Sequence, residues 1–164
     1  GSLIRSSVTS VQRGKAGEPG SLQGEFEADN TVGTVENNTQ NGIFGKLTDT
    51  SVYDSLEAVP VATADEIQTG EAEILSNVEG DTVQRYSVQI LKIYPEDDEY
   101  GRGMMLRVTD EALLEQTGGI VQGMSGSPVL QNGKLIGAVT HVLVDDPTCG
   151  YAIGIERMLE QMEQ

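Results

Sequence analysis

The chain has 164 residues, 26 of them acidic and 10 basic, for a formal charge of −16. That balance repels nucleic acid and anionic membrane surfaces, so neither is an expected partner, whereas a basic segment of a protein substrate would suit it. A single cysteine, Cys149, excludes an internal disulfide, a cysteine-rich zinc site and an iron–sulfur cluster, and no run of about 18 apolar residues is present to cross a membrane as a helix.

In chain order, the pattern predicts a strand over Ser7–Val11, then a loop at Arg13–Gly20 whose glycines and proline interrupt regular structure. Short strands follow at Gly24–Phe26, Thr31–Glu36 and Gly42–Leu47, the last two separated by an Asn-rich turn. Val59–Ala62 opens the next segment, where Pro60 restricts the position to a sheet edge or a strand start. The alternating apolar residues of Glu71–Val78 and Thr82–Ile93 predict two long strands joined at Glu79-Gly80-Asp81. Pro95–Glu99 reads as a solvated acidic loop without the ligand spacing of a calcium-binding loop.

Met104–Val108 is the next predicted strand. One or two helical turns follow at Glu111–Gln116, capped by Thr109 or Asp110 and stopped by Gly118-Gly119. Pro128–Gln131 and Lys134–Val144 form a hairpin around Asn132-Gly133, a dipeptide suited to a type I′ turn. A turn is expected at Asp145–Pro147 and on through Cys149, then a strand at Tyr151–Ile153. Ile155, Met158, Leu159 and Met162 mark one face of a closing helix. Many short strands and a terminal helix predict a mainly β protein built as two antiparallel barrels rather than an α/β fold.

The chemistry concentrates in Gly123-Met124-Ser125-Gly126-Ser127-Pro128. A serine between glycines can sit on a tight turn with its hydroxyl exposed, and the backbone N–H groups of Gly123 and Ser125 can face a developing oxyanion. Acyl transfer further needs a base and a group that orients the base. The alternative from these residues alone is a plain Gly/Ser/Pro loop. An α/β-hydrolase elbow is excluded, because the glycine due after Ser125-Gly126 is Ser127 and no alternating βα units are present.

The stretch Thr117–Pro128, followed by Gln131–Lys134, Gly137–Val142 and Asp145–Thr148, resembles the stage IV sporulation protein B family of serine peptidases. Gly14–Gly20, Gly42–Leu47, Gly150-Tyr151 and Ile155–Leu159 extend the resemblance almost from end to end. It implies a chymotrypsin-like double antiparallel β-barrel with a C-terminal helix, acting without cofactor or metal. It also implies Ser125 as nucleophile and Asp110 as the triad carboxylate, although Asp110 read by itself serves equally well as a helix cap. In the chymotrypsin-like arrangement His141 belongs to the substrate-binding wall rather than serving as the base. Separately, Thr140, Ala138 and the backbone of 138–142 offer main-chain groups to which an extended substrate can add as a strand, and Gly118-Gly119 marks the wall of the specificity pocket.

The family's catalytic histidine and its PDZ domain lie upstream of the segment matched here. The expectation is therefore a peptidase domain over residues 1–164 truncated at its amino end, a self-cleaved remnant being one origin. The family implies a sporulation signalling role: secretion across the forespore membrane into the intermembrane space, and cleavage of a membrane-associated regulator of an intramembrane protease that processes a sigma factor. A different class of function is a catalytically incomplete scaffold that keeps the fold and holds an extended segment.

Overall fold

A computed structural model of the chain describes residues 1–96 and 98–163. Among the described residues, nine strands and two α-helices form two β units. Strands β1 (Ser2–Gln12), β2 (Ser21–Thr39) and β3 (Gly42–Leu47) make an antiparallel sheet in that order. Strands β4 (Gly70–Ser76), β5 (Gln84–Ile93), β6 (Met104–Val108), β7 (Pro128–Gln131), β8 (Lys134–Leu143) and β9 (Asp146–Gly154) close into a barrel ordered β4-β5-β6-β9-β8-β7. Helix α1 (Glu111–Thr117) links β6 to the Ser125 loop, and α2 (Ile155–Met162) follows β9.

The barrel forms because its strands alternate with period two, which puts every second side chain on the inner face. Ala72 and Ile74 of β4, Tyr86, Val88 and Ile90 of β5, and Met104, Leu106 and Val108 of β6 are all buried on this pattern. Each fully buried Ile, Leu, Val or Met contributes about 1.5–3 kcal/mol relative to exposure. Leu113 of α1 and Ile120, Val121 and Met124 of the loop after it join the same core. At the β7–β8 turn Asn132 has φ 51° and Gly133 φ 75°, the two positive values that a type I′ turn requires.

The N-terminal half is an open three-stranded sheet rather than a second closed barrel. The expected short strands at 24–26 and 31–36 are one 19-residue strand, bent by register shifts against β1 and β3. Most of its side chains are exposed on both faces, Phe26 and Ile43 among them, so it depends on docking to the barrel. Val8 and Gly80 exchange two backbone hydrogen bonds of 2.9 Å, and Arg13 donates to the Leu114 and Glu115 carbonyls that end α1. Leu22 N–H donates to Gln122 O at 2.8 Å, and Gln122 N–H to Gly20 O at 2.9 Å, which ties the sheet to the Ser125 loop.

Two local expectations are corrected. Val59–Ala62 forms no strand and contributes one bridge, Val61 to Leu135. The turn expected through Cys149 is strand: β9 begins at Asp146, and Cys149 pairs with Arg107 of β6. Barrel closure supplies that pairing, and local composition gives no sign of it. Of the acidic loop Pro95–Glu99, Asp97 lies outside the described residues.

Candidate active site

Ser125 is exposed between two buried anchors. Met124 is 1% exposed and points inward; its N–H donates to Val121 O at 3.1 Å, and its sulfur accepts the Val121 N–H at 3.4 Å. Ser127 is also buried, and its Oγ donates to Met124 O at 2.6 Å with Ser76 Oγ 3.2 Å away. Ser127 N–H donates to Met124 O at 3.0 Å, closing a turn around Ser125. Gly126 N–H reaches Val139 O of β8 at 2.7 Å. The loop is thus held from inside at 124 and 127 and from the side at 126, while residue 125 faces out.

Gly123 has φ 101° and Gly126 φ 89°, conformations that residues with a Cβ adopt only under strain. At 123 the backbone favours glycine, and a Cβ would in addition lie 3.1 Å from the Leu22 Cβ, a contact that Leu22 would have to relieve by a small shift. Among the described residues neither the Gly123 nor the Ser125 N–H meets a hydrogen-bond acceptor. The Ser125 hydroxyl donates to the Thr140 carbonyl at 3.1 Å.

A cleft of about 400 Å³ opens beside Ser125. One wall is residues 38–44, the turn and flanks of the β2–β3 hairpin; the other is residues 138–141 of β8, with Ile153 and Met158 adding to the lining. Thr140 and His141 therefore share a cleft with Ser125. The Thr140 hydroxyl donates to Tyr151 O at 3.2 Å, which fixes its side chain toward β9, whereas His141 is exposed. The hairpin wall and Met158 were not legible as site residues: an Asn/Gln-rich turn reads only as a turn, and Met158 reads as the inner face of a helix.

The other expected site residues lie elsewhere. Asp110 caps α1, its Oδ1 accepting the Leu113 N–H at 3.0 Å, and it does not line this cleft. Oδ2 accepts no hydrogen bond from a described residue. The Asp110 charge is felt by Tyr86, whose hydroxyl is pushed to a higher pKa first by burial and then by this carboxylate. Gly118 ends α1 in the left-handed region, against the Gly14 carbonyl, and Gly119 lies against the Pro147 carbonyl. These two glycines are not among the residues lining the cleft. Among the described residues no group of three or more His, Cys, Asp or Glu side chains is arranged to hold a metal ion.

Residues 1–159 match the family model described as SpoIVB peptidase S55. The chain belongs to the SpoIVB peptidase S55 family. Among solved structures, it is similar to the Rv3671c protease of M. tuberculosis in its active form, at TM-score 0.54 and 15% identity, covering 99% of this chain and 79% of that one. It is also similar to the inactive form of that protease, at TM-score 0.51 and 17% identity, over 88% and 71% of the two chains. A serine-to-alanine variant of the inactive form gives TM-score 0.52 at 17% identity, over 88% and 69%. No curated protein sequence matches the chain. At these identities the structures speak for the fold alone, and the fold is the mainly β, chymotrypsin-like one, with a closed barrel, a second sheet and a C-terminal helix.

Proposed function

We propose that this peptidase domain is a serine endopeptidase with Ser125 as nucleophile. The observation that carries the reading is an exposed hydroxyl on a loop anchored at Met124 and Ser127, beside two N–H groups without acceptors. Such donors, held in place before reaction, stabilise a tetrahedral oxyanion at little reorganisation cost, and one donor is worth about 10²–10³ in kcat. An extended substrate would add to β8 beyond Val139, whose N–H and carbonyl are taken by Ser127 and Gly126, using main-chain groups of residues 140–142 for affinity and the hairpin wall for selection. In doing so its N–H would compete for the Thr140 carbonyl that now accepts the Ser125 hydroxyl. Substrate entry and release of the nucleophile are coupled in this reading.

Asp110 orients the imidazole of the base, through the oxygen the helix cap leaves open. That base is the histidine which the family resemblance puts before Gly1, and His141 serves the cleft wall. The substrate is a membrane-associated regulator of an intramembrane protease, met between the forespore membranes, and the PDZ domain of the full-length protein is a further partner. The family membership supports this signalling role, and the charge of −16 suits a basic substrate segment and disfavours nucleic acid.

A fluorophosphonate probe tests the reading. Full-length protein is expected to be labelled at Ser125, with labelling lost in Ser125→Ala; an unlabelled Ser125 in folded full-length protein refutes it. The competing reading is a peptide-holding scaffold. It is favoured by the resting hydrogen bond of Ser125 to Thr140 O and by the engagement of Asp110 in a helix cap. The scaffold would bind extended peptides and leave the probe unreacted.

A further inference from the structure

Among the described residues, the lining of the cleft beside Ser125 has neither carboxylate nor Lys or Arg. Asp, Glu, Lys and Arg make up 22% of the chain, yet among the described residues none of them lines this cleft, and His141 is its only titratable side chain. The contrast with the neighbouring cavity is sharp. That cavity, of about 290 Å³, is lined by Glu96, Arg102, Glu156, Arg157 and Glu160 along with apolar residues. Helix α2 separates the two, presenting Met158 to the Ser125 cleft and its charged residues to the other cavity.

We infer that the Ser125 cleft selects an uncharged, apolar stretch of polypeptide, with Ile43, Phe44, Ile153 and Met158 contacting its side chains. This rests on the reading of Ser125 as the nucleophile, since that reading makes the cleft a substrate site. The physical ground is desolvation. A charged side chain entering a cleft without a counter-charge loses hydration and gains no ion pair, whereas an apolar one gains by burial. The overall charge of −16 disfavours acidic segments further, through its longer-range field. Asn38, Gln40 and Asn41 on the hairpin wall supply neutral donors and acceptors suited to a peptide main chain. Basic residues that answer the field of the whole domain would therefore lie outside the cleft, flanking the apolar stretch.

The test uses the full-length protein as Ser125→Ala, so that peptides bind without turnover. Fluorescent peptides carry Leu, Ile, Val or Phe through the central positions, and matched sets replace one central residue by Glu or by Lys. Apolar peptides are expected to bind at least about tenfold more tightly than either charged set, the Glu set being weakest. Ile43→Glu is the second variant. Ile43 is 63% exposed, so the change spares the core, and it is expected to raise affinity for the Lys set and lower it for the apolar set. Equal binding of all three sets, or an unchanged preference in Ile43→Glu, overturns the inference. Parallel fluorophosphonate labelling of the unaltered protein separates the two layers. Labelling without peptide discrimination removes the selectivity and keeps the peptidase; discrimination without labelling keeps an apolar peptide cleft and removes the peptidase.

Discussion

Asp110 has two candidate roles, and two substitutions separate them. As a helix cap its Oδ1 accepts the Leu113 N–H at 3.0 Å, at the start of a seven-residue helix whose Leu113 is fully buried. Asp110→Asn keeps an oxygen in that place, and asparagine caps about as well as aspartate. The remaining loss is the carboxylate's interaction with the helix dipole, about 0.3–1 kcal/mol. Asp110→Ala removes the acceptor and should cost about 0.5–2 kcal/mol. For a domain of this size each kcal/mol moves Tm by about 2–4 °C, so Ala melts a few degrees below Asn. Activity should sort differently. If the carboxylate orients an imidazole, the amide fails as badly as alanine, because it no longer holds the productive tautomer; the loss in kcat for such a change is about 10⁴. Urea denaturation and peptide hydrolysis by the full-length protein measure the two axes. Stability ordered Asp, Asn, Ala with activity lost in both variants supports the double role. Parent-like hydrolysis by Asp110→Asn refutes the triad assignment and leaves Asp110 a cap.

Two further changes probe the loop and the charges. Gly123→Ala forces a Cβ onto φ 101° and against Leu22, at an expected cost of about 2–4 kcal/mol together with a slower fluorophosphonate reaction; loss below about 0.5 kcal/mol with parental labelling refutes the requirement for glycine. Asp98, hydrogen-bonded by Arg102 within a cluster of Tyr94, Tyr100 and Tyr151, has its pKa lowered from 3.8 to about 2, and Glu66, hydrogen-bonded by Lys134, from 4.5 to about 2. Folded values below the unfolded ones mean that this stability is complete above about pH 4.5 and is lost as pH falls toward 2. Acidification also relieves the repulsion of a −16 chain, so the readout is the difference between parent and Asp98→Asn in denaturation at pH 5 and pH 2.5. That difference should shrink at the lower pH, and a constant one refutes the linkage.

The barrel was largely legible because its strands face a core on one side and obey period two. The expected limits of β3, β6, β7 and α2 match the structure, and those of α1 and β8 differ by one residue. The N-terminal sheet was less legible for the same physical reason. Exposed on both faces, β2 has no strict alternation, so its length and bulges come from pairing with β1 and β3. Strand β9 was hidden in part by Asp145–Gly150, whose turn-forming composition is overridden by the partners β6 and β8 on either side.

The site shows the same division. The serine turn could be read because glycine spacing expresses a backbone requirement, and Gly123 and Gly126 have the positive φ values that such a turn demands. What the turn faces could not be read. The hairpin at 38–44 lies more than eighty residues before Ser125, and its chemistry is neutral amides and two apolar side chains, which no local pattern connects to catalysis. Charge shows why this matters. A chain rich in carboxylates suggests recognition by charge, yet among the described residues no Asp, Glu, Lys or Arg side chain lines the cleft beside Ser125. The acidic surface and the neutral cleft therefore act at different ranges: the first biases which segments approach, and the second decides which side chains can be desolvated beside the hydroxyl. A substrate that satisfies both has an apolar stretch at the cleft and its basic residues outside it, a pattern that composition alone would have inverted.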